Sequence, residues 1–315
     1  MRHVRRLAVA ALALAASARA DDVTLAPGEI VIADHGGRGV AGALYRMLPG
    51  GAPRAIATSE PLAMPTAVVI DRDGTLVVAE LRLDEPGRIV RVDPASGAVV
   101  VIADGWPLLT PVGVAFDAGG DVLVADLDAG SRLDFPRGSL AGTGAIYRIP
   151  RATGVAAVLS HDCCRWNASA VTPTATDELA VVDMGFSVFQ GDGALALVDP
   201  TTGVQRPIAT SVPLLDPAGV VPGPAGTLFV TEATNPQMGN GAILAVEPST
   251  GTVTVLSTGA PIVDPRAIAV TADGDVVVAD SGAVAVYRVT LPERTLEVLA
   301  AGEPLVRPYG VAVAW

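Results

Sequence analysis

The chain has no lysine, so each of its 21 basic residues is an arginine. That removes Schiff-base chemistry and any lysine general base from consideration. Histidine is scarce too, at three residues, and the two cysteines, Cys163 and Cys164, are adjacent. Aromatic residues make up only 4% of the chain, and no Gly-x-Ser-x-Gly elbow of a serine hydrolase is present. The apolar run at 7–16 is ten residues long, too short to span a bilayer.

That run has the form of a removable signal peptide. Arg2, His3, Arg5 and Arg6 precede it, and Ala18-Arg19-Ala20 follows as a small-x-small cleavage signal. The expectation is an exported, periplasmic or extracellular protein, bacterial in the style of its leader, with a single domain over 21–315 and no membrane anchor. Loss of residues 1–20 leaves 17 arginines against 33 acidic residues, a net charge of −16. Such a surface repels nucleic acid phosphates, so no nucleic acid partner is expected.

Valine, alanine, leucine and isoleucine dominate instead, punctuated by 34 glycines and 25 prolines. This suits many short strands joined by tight turns. One unit recurs along the whole chain after residue 28, clearest from Pro265. It runs Pro-Arg-Ala-Ile-Ala-Val, a turn at Asp273-Gly274, Asp-Val-Val-Val-Ala-Asp280, Tyr287-Arg288-Val289, and a final strand near Leu296. These are four strands, a to d, bounded by turn residues. Further copies begin at Pro65, Pro111, near Asn167 and at Pro217, roughly 43–56 residues apart, the spacing of propeller blades. The c–d turns repeat as Asp93-Pro94, Asp199-Pro200 and Glu247-Pro248, each closing on a glycine three residues further on.

The ends complete the count. Residues 29–34 form a strand b with no strand a before them, and 308–315 form a strand a with nothing after it. The expected fold is all-β: a six-bladed β-propeller of four-stranded antiparallel blades, closed by the C-terminal strand pairing into the N-terminal blade.

The Pro-x-Gly-Val-Ala-like strand a, the Asp-Gly turn, the Val-Val-Ala-Asp strand b and the Tyr-Arg-Val strand c resemble the NHL-repeat and SMP-30/gluconolactonase-like six-bladed propellers. The resemblance covers nearly all of 21–315. It implies the fold; the group hosts unrelated activities, so it does not name one.

Strand order puts the b–c and d–a connections on one face. The irregular insertions at 35–42, 81–87, 127–144, 184–193 and 233–241 are b–c connections, and 161–167 is a d–a connection, so this face is the expected binding surface. Its candidate residues are His35, Arg38, His161, Cys163, Cys164, Trp166 and Asn167, and its partner is expected to be a small molecule or a protein. Export would favour oxidation of Cys163–Cys164 to a vicinal disulfide, with unpaired thiols as the alternative.

Every strand b ends in an acid: Asp34, Glu80, Asp126, Asp183, Glu232 and Asp280. Two roles are open. These carboxylates could ligate Ca2+ or another divalent cation, with Glu80, Asp126, Asn167, Asp183 and Glu232 as the candidate metal set. Alternatively each accepts backbone N–H groups of its own loop.

The family resemblance also implies a test. SMP-30-like lactonases hold one divalent metal through a Glu, Asn and Asp set at the starts of strands a. Here those starts read Thr66, Val112, Asn167, Ala218, Arg266 and Tyr309, of which only Asn167 fits. Streptogramin-lyase-like propellers use a histidine base with supporting histidines, and only His35 and His161 remain after the leader. The readings therefore rank as a binding propeller first, a metal-dependent lactone or ester hydrolase second and a lyase third.

Overall fold

The computed structural model describes residues 25–315 except 38, 57–61, 129–143, 162–166, 186–192, 211–212, 236–237 and 239, and the side chain of Asn235. Its strands form six four-stranded antiparallel sheets. Blade one holds β1 (Ile30–Asp34), β2 (Ala43–Met47) and β3 (Arg54–Ala55). Blade two holds β4 (Met64–Ile70), β5 (Leu76–Leu81), β6 (Arg88–Val92) and β7 (Val99–Asp104). Blade three holds β8 (Pro111–Phe116), β9 (Val122–Asp126), β10 (Ala145–Ile149) and β11 (Ala157–His161). Blade four holds β12 (Ala168–Pro173), β13 (Leu179–Asp183), β14 (Ala194–Val198) and β15 (Gln205–Thr210). Blade five holds β16 (Pro217–Pro222), β17 (Leu228–Asn235), β18 (Asn240–Glu247) and β19 (Thr252–Thr258). Blade six holds β20 (Pro265–Val270), β21 (Val276–Asp280), β22 (Ala285–Thr290) and β23 (Thr295–Ala301).

The last strand, β24 (Pro308–Val313), pairs with β1 and completes blade one, with Ile30 opposite Val313 and Asp34 opposite Pro308. The ring is thus closed by the two ends of the chain, and its terminal strand edges are paired.

Burial follows strand position within each blade. The b strands β1, β9, β13 and β21 are buried at every residue, which explains runs such as Val-Val-Val-Ala-Asp. The outer strands β7 and β15 have no buried residue at all. Apolar clusters form between neighbouring blades; one joins Ile32 of blade one to Ala269, Val277 and Val286 of blade six.

The Arg of the Tyr-Arg-Val repeat has a structural role. It reaches an acid at the end of its own blade where strands a and b meet: Arg46 to Glu29 at 2.5 Å, Arg91 to Asp71 at 2.6 Å, Arg148 to Asp117 at 3.1 Å and Arg288 to Asp275 at 2.6 Å. Blades four and five carry Leu197 and Ala245 opposite the matching b-strand residues Ala180 and Phe229.

All six a strands share a bulge at the residue after the one paired with the b-strand acid. The residue after the bulge then alternates Gly and Ala around the ring. A Cβ on Gly310 would lie 2.9 Å from the Cα of Ala67, and one on Gly113 would meet Ala170 Cα at the same distance. At Gly219 it would sit 2.9 Å from the carbonyl oxygen of Arg266. Glycine is needed here because the inner strands approach too closely for a side chain.

Two expectations need correction. Strand a of blade four begins at Ala168, opposite Asp183, so the residue matching Thr66 and Arg266 is Ser169 and not Asn167. No proline marks that start, which hid the register. The stretch 233–241 is also partly strand, with Asn235 paired to Asn240 across an extended hairpin.

Candidate functional site

The acid ending each b strand clamps the segment leading into its own blade's strand a. Asp34 accepts the N–H groups of Val306 at 2.8 Å and Arg307 at 3.0 Å. Asp126 accepts those of Leu109 and Thr110, and Asp280 those of Val263 and Asp264, in each case together with N–H groups of the following b–c loop. Asp183 accepts from Asn167 and Gly185. Every one of these acids is buried. The b–c and d–a connections are thereby tied together on one face, where a buried carboxylate replaces water for several orphan amides. Burial outweighs these bonds at Asp126, whose carboxyl is pushed up to about 6.

The two glutamates among the six differ. Glu80 accepts the N–H of Ala63 with one oxygen and the guanidinium of Arg88 with the other. Glu232 accepts the N–H groups of Leu215 and Asp216 with Oε1, while its buried Oε2 has no hydrogen-bond partner among the described residues. The cross-strand neighbour explains this: Arg88 stands opposite Glu80, and Ala242 stands opposite Glu232. Burial without a counter-charge, with Asp216 adding repulsion, pushes the Glu232 carboxyl up to about 8, so it is protonated at neutral pH.

The six bulge residues Thr66, Val112, Ser169, Ala218, Arg266 and Tyr309 ring one end of an axial cavity of about 880 Å³. Below them its wall is mostly Val, Ala, Gly and Ile from the a strands. On the arc of blades two to four the ring is inert. Thr66 Oγ1 donates to the carbonyl of Pro111 at 2.9 Å and Ser169 Oγ to that of Pro217 at 2.9 Å, tying each blade to the next.

The opposite arc, blades five, six and one, is polar. Arg266 Nε is ion-paired with Asp264 Oδ1 at 2.7 Å, and both atoms are buried. The Arg266 guanidinium carbon is 5.6 Å from the centre of the Tyr309 ring, and that of Arg307 is 5.8 Å away. His35 packs on the same ring at 5.3 Å between centroids. Burial and the Arg307 charge hold its imidazole below the ordinary histidine range, so it is neutral at pH 7. Burial opposes the charge on Arg266, but Tyr309, Asp264 and Asp216 outweigh it and raise its affinity for its proton. Burial raises the Asp216 carboxyl, with Arg266 pulling the other way.

Of the residues expected from sequence to form the binding face, His35 joins this arc. His161 ends β11 in blade three and is exposed. Asn167 is buried, its N–H held by Asp183. Arg38, Cys163, Cys164 and Trp166, and with them the Cys163–Cys164 disulfide, lie outside the described residues. The candidate metal set Glu80, Asp126, Asn167, Asp183 and Glu232 is spread one or two to a blade over four blades. Among the described residues no group of three His, Cys, Asp or Glu is placed to share an ion. The bulge ring does not suit a divalent cation either: the Thr66 and Ser169 hydroxyls are committed to carbonyls, and Arg266 brings a positive charge. Sequence reasoning missed Asp216 and Asp264, whose only signal is their place just before the strand-a proline.

Several solved structures share the backbone. A chain of the nidogen–laminin complex aligns with a TM-score of 0.68 at 17% identity, covering 91% of this chain and 99% of that one. A catalytically inactive virginiamycin B lyase from Staphylococcus aureus with quinupristin aligns at 0.61, with 18% identity over 90% and 84% of the two chains. A 6-phosphogluconolactonase-like protein from Bacteroides uniformis aligns at 0.60, with 15% identity over 90% and 98%. The likeness shows the fold alone. No protein-family model matches the chain, and comparison with curated proteins finds no match.

Proposed function

We propose that this propeller is an exported binding module of NHL or SMP-30-like type, taking a small molecule at the mouth of its axial cavity on the face of the b–c and d–a connections. One observation carries the reading. At one arc of that mouth Arg266 and Tyr309 face the cavity with the terminal guanidinium nitrogens and the phenol hydroxyl unbonded among the described residues, and behind them Glu232 Oε2 is buried without a hydrogen-bond partner among the described residues. A few unused polar groups converging on an otherwise apolar cavity are what a small-molecule site presents. The solved neighbours include a protein complex and an enzyme crystallised with quinupristin, so the backbone itself does not choose between binding and catalysis.

The test is a thermal-shift screen of small molecules against the purified protein and its Tyr309→Ala variant, with Trp315→Ala at the other end of the cavity as control. Stabilising compounds should lose their effect in Tyr309→Ala and keep it in Trp315→Ala. Compounds indifferent to Tyr309→Ala would overturn the location. Stabilisation by calcium, magnesium, manganese or zinc relative to EDTA, together with turnover of lactones or esters, would replace the binding reading with the hydrolase one.

A further inference from the structure

Resting on that reading, we propose that the ligand is an amphiphilic monocarboxylate, its carboxylate held by Arg266 and Tyr309 and its apolar body lying down the axial cavity.

The groups a molecule in this cavity meets are not those of the mouth as a whole. Arg266 and Tyr309 line the cavity, whereas Asp216, Glu232 and Asp264 stand behind them, outside its wall. At this end the cavity thus presents hydrogen-bond donors, whereas Asp71 and Arg72 stand at its other end. The Arg266 guanidinium engages Asp264 through Nε at 2.7 Å, while its two terminal nitrogens make no hydrogen bond among the described residues. Its outer edge is free for a bidentate acceptor, the geometry a carboxylate fits. The Tyr309 hydroxyl likewise has no hydrogen-bond partner among the described residues, while its ring is held by contacts with Arg266, Arg307 and His35. Arg307, exposed at the rim, adds a second positive charge. The strong net acidity of the chain does not oppose this locally, since fields of distant surface charges are screened beyond about 10 Å at ordinary ionic strength.

Beneath the head the chemistry changes. The wall is built of Val114, Val171, Val220, Ile268 and Val311 with alanine and glycine between them, so a body without polar groups displaces water at little desolvation cost. A six-residue a strand extends roughly 20 Å, which sets the length of apolar body the tube accepts. A volume of about 880 Å³ lies within the range of small-molecule sites.

The test is isothermal titration of the purified protein with dodecanoate, dodecanol and dodecylammonium below their aggregation concentrations. It is repeated on Arg266→Met, which keeps the apolar stem, and on Val112→Phe, which narrows the tube across from the head site; each variant is first checked for an unchanged circular-dichroism spectrum and a cooperative melt. Dodecanoate should bind at least about tenfold more tightly than dodecanol, the least expected of charge-assisted hydrogen bonds. Arg266→Met should bring dodecanoate down to the level of dodecanol without moving dodecanol itself, and Val112→Phe should weaken both. Equal binding of acid and alcohol, tighter binding of dodecylammonium, or an Arg266→Met variant that keeps its preference would overturn the carboxylate assignment while leaving ligand binding in the cavity intact. If none of the three binds, the carboxylate assignment falls, and the binding reading then stands or falls on the Tyr309 screen.

Discussion

Glu80 and Glu232 occupy the same position in blades two and five, buried at the end of strand b and accepting amides from the segment before strand a. One faces Arg88 across the sheet and the other faces Ala242. The backbone requirement is met in both, so the difference lies in the second carboxylate oxygen. Blade two closes its ion pair internally. Blade five leaves one oxygen without a partner among the described residues and the carboxyl protonated, beside Asp216, which in turn feels Arg266 and Asp264. The same contrast runs around the ring, where Thr66 and Ser169 use their hydroxyls to tie blades together while Arg266 and Tyr309 face the cavity. A repeat that needs six equivalent clamps can relax one of them, and the relaxed one adjoins the polar arc.

Removing the counter-charge from blade two should have the largest effect. Arg88→Ala leaves Glu80 buried and uncompensated, and a loss of about 3 kcal/mol in unfolding free energy is expected from denaturant titration. A loss under about 1 kcal/mol would mean the pair is not what distinguishes the two blades.

The next effect is pH dependence in blade five. Glu232 binds its proton more tightly folded, up to about 8, than its ordinary value of 4.5. Its favourable contribution is therefore complete below about pH 4.5, falls as pH rises and is gone above about pH 8, an effect on the order of a few kcal/mol. Glu232→Gln keeps the acceptor for Leu215 and Asp216 and cannot ionise, so the fall in melting temperature between pH 6 and 8.5 should largely vanish in that variant. A wild-type melting temperature flat across this range would contradict the protonated assignment.

A smaller change follows in the ring. Ser169→Ala removes the tie to the Pro217 carbonyl and should cost about 1 kcal/mol, read from the shift in denaturation midpoint at unchanged slope. The smallest is its converse. Ala218→Thr places the blade-two hydroxyl in blade five, where the Pro265 carbonyl holds the corresponding position, and a gain of about 0.5 kcal/mol is expected. A loss instead would show that the ring of blade five lacks the room that Thr66 has in blade two.

The propeller was legible because its determinants are local and repeated. Proline opens strand a in all blades but one, Asp-Gly or a near relative turns the chain, and an apolar b strand running to Asp or Glu recurs in all six blades. Where one of those marks is missing the register slipped: without a proline before Ser169, Asn167 took its place. The polar arc was less legible. Arg266 and Tyr309 stand out as unusual residues at a repeat position, but Asp216 and Asp264 look like ordinary turn acids.

The sequence alone determined the ring of six, its closure by the chain ends and the face on which the connections gather, since strand period, turn residues and repeat length act over a few neighbours at a time. Only the tertiary structure decided which acids are satisfied. That depends on the residue across the sheet and in the next blade, as Arg88 and Ala242 show, and on burial, which sets whether a carboxyl keeps its proton.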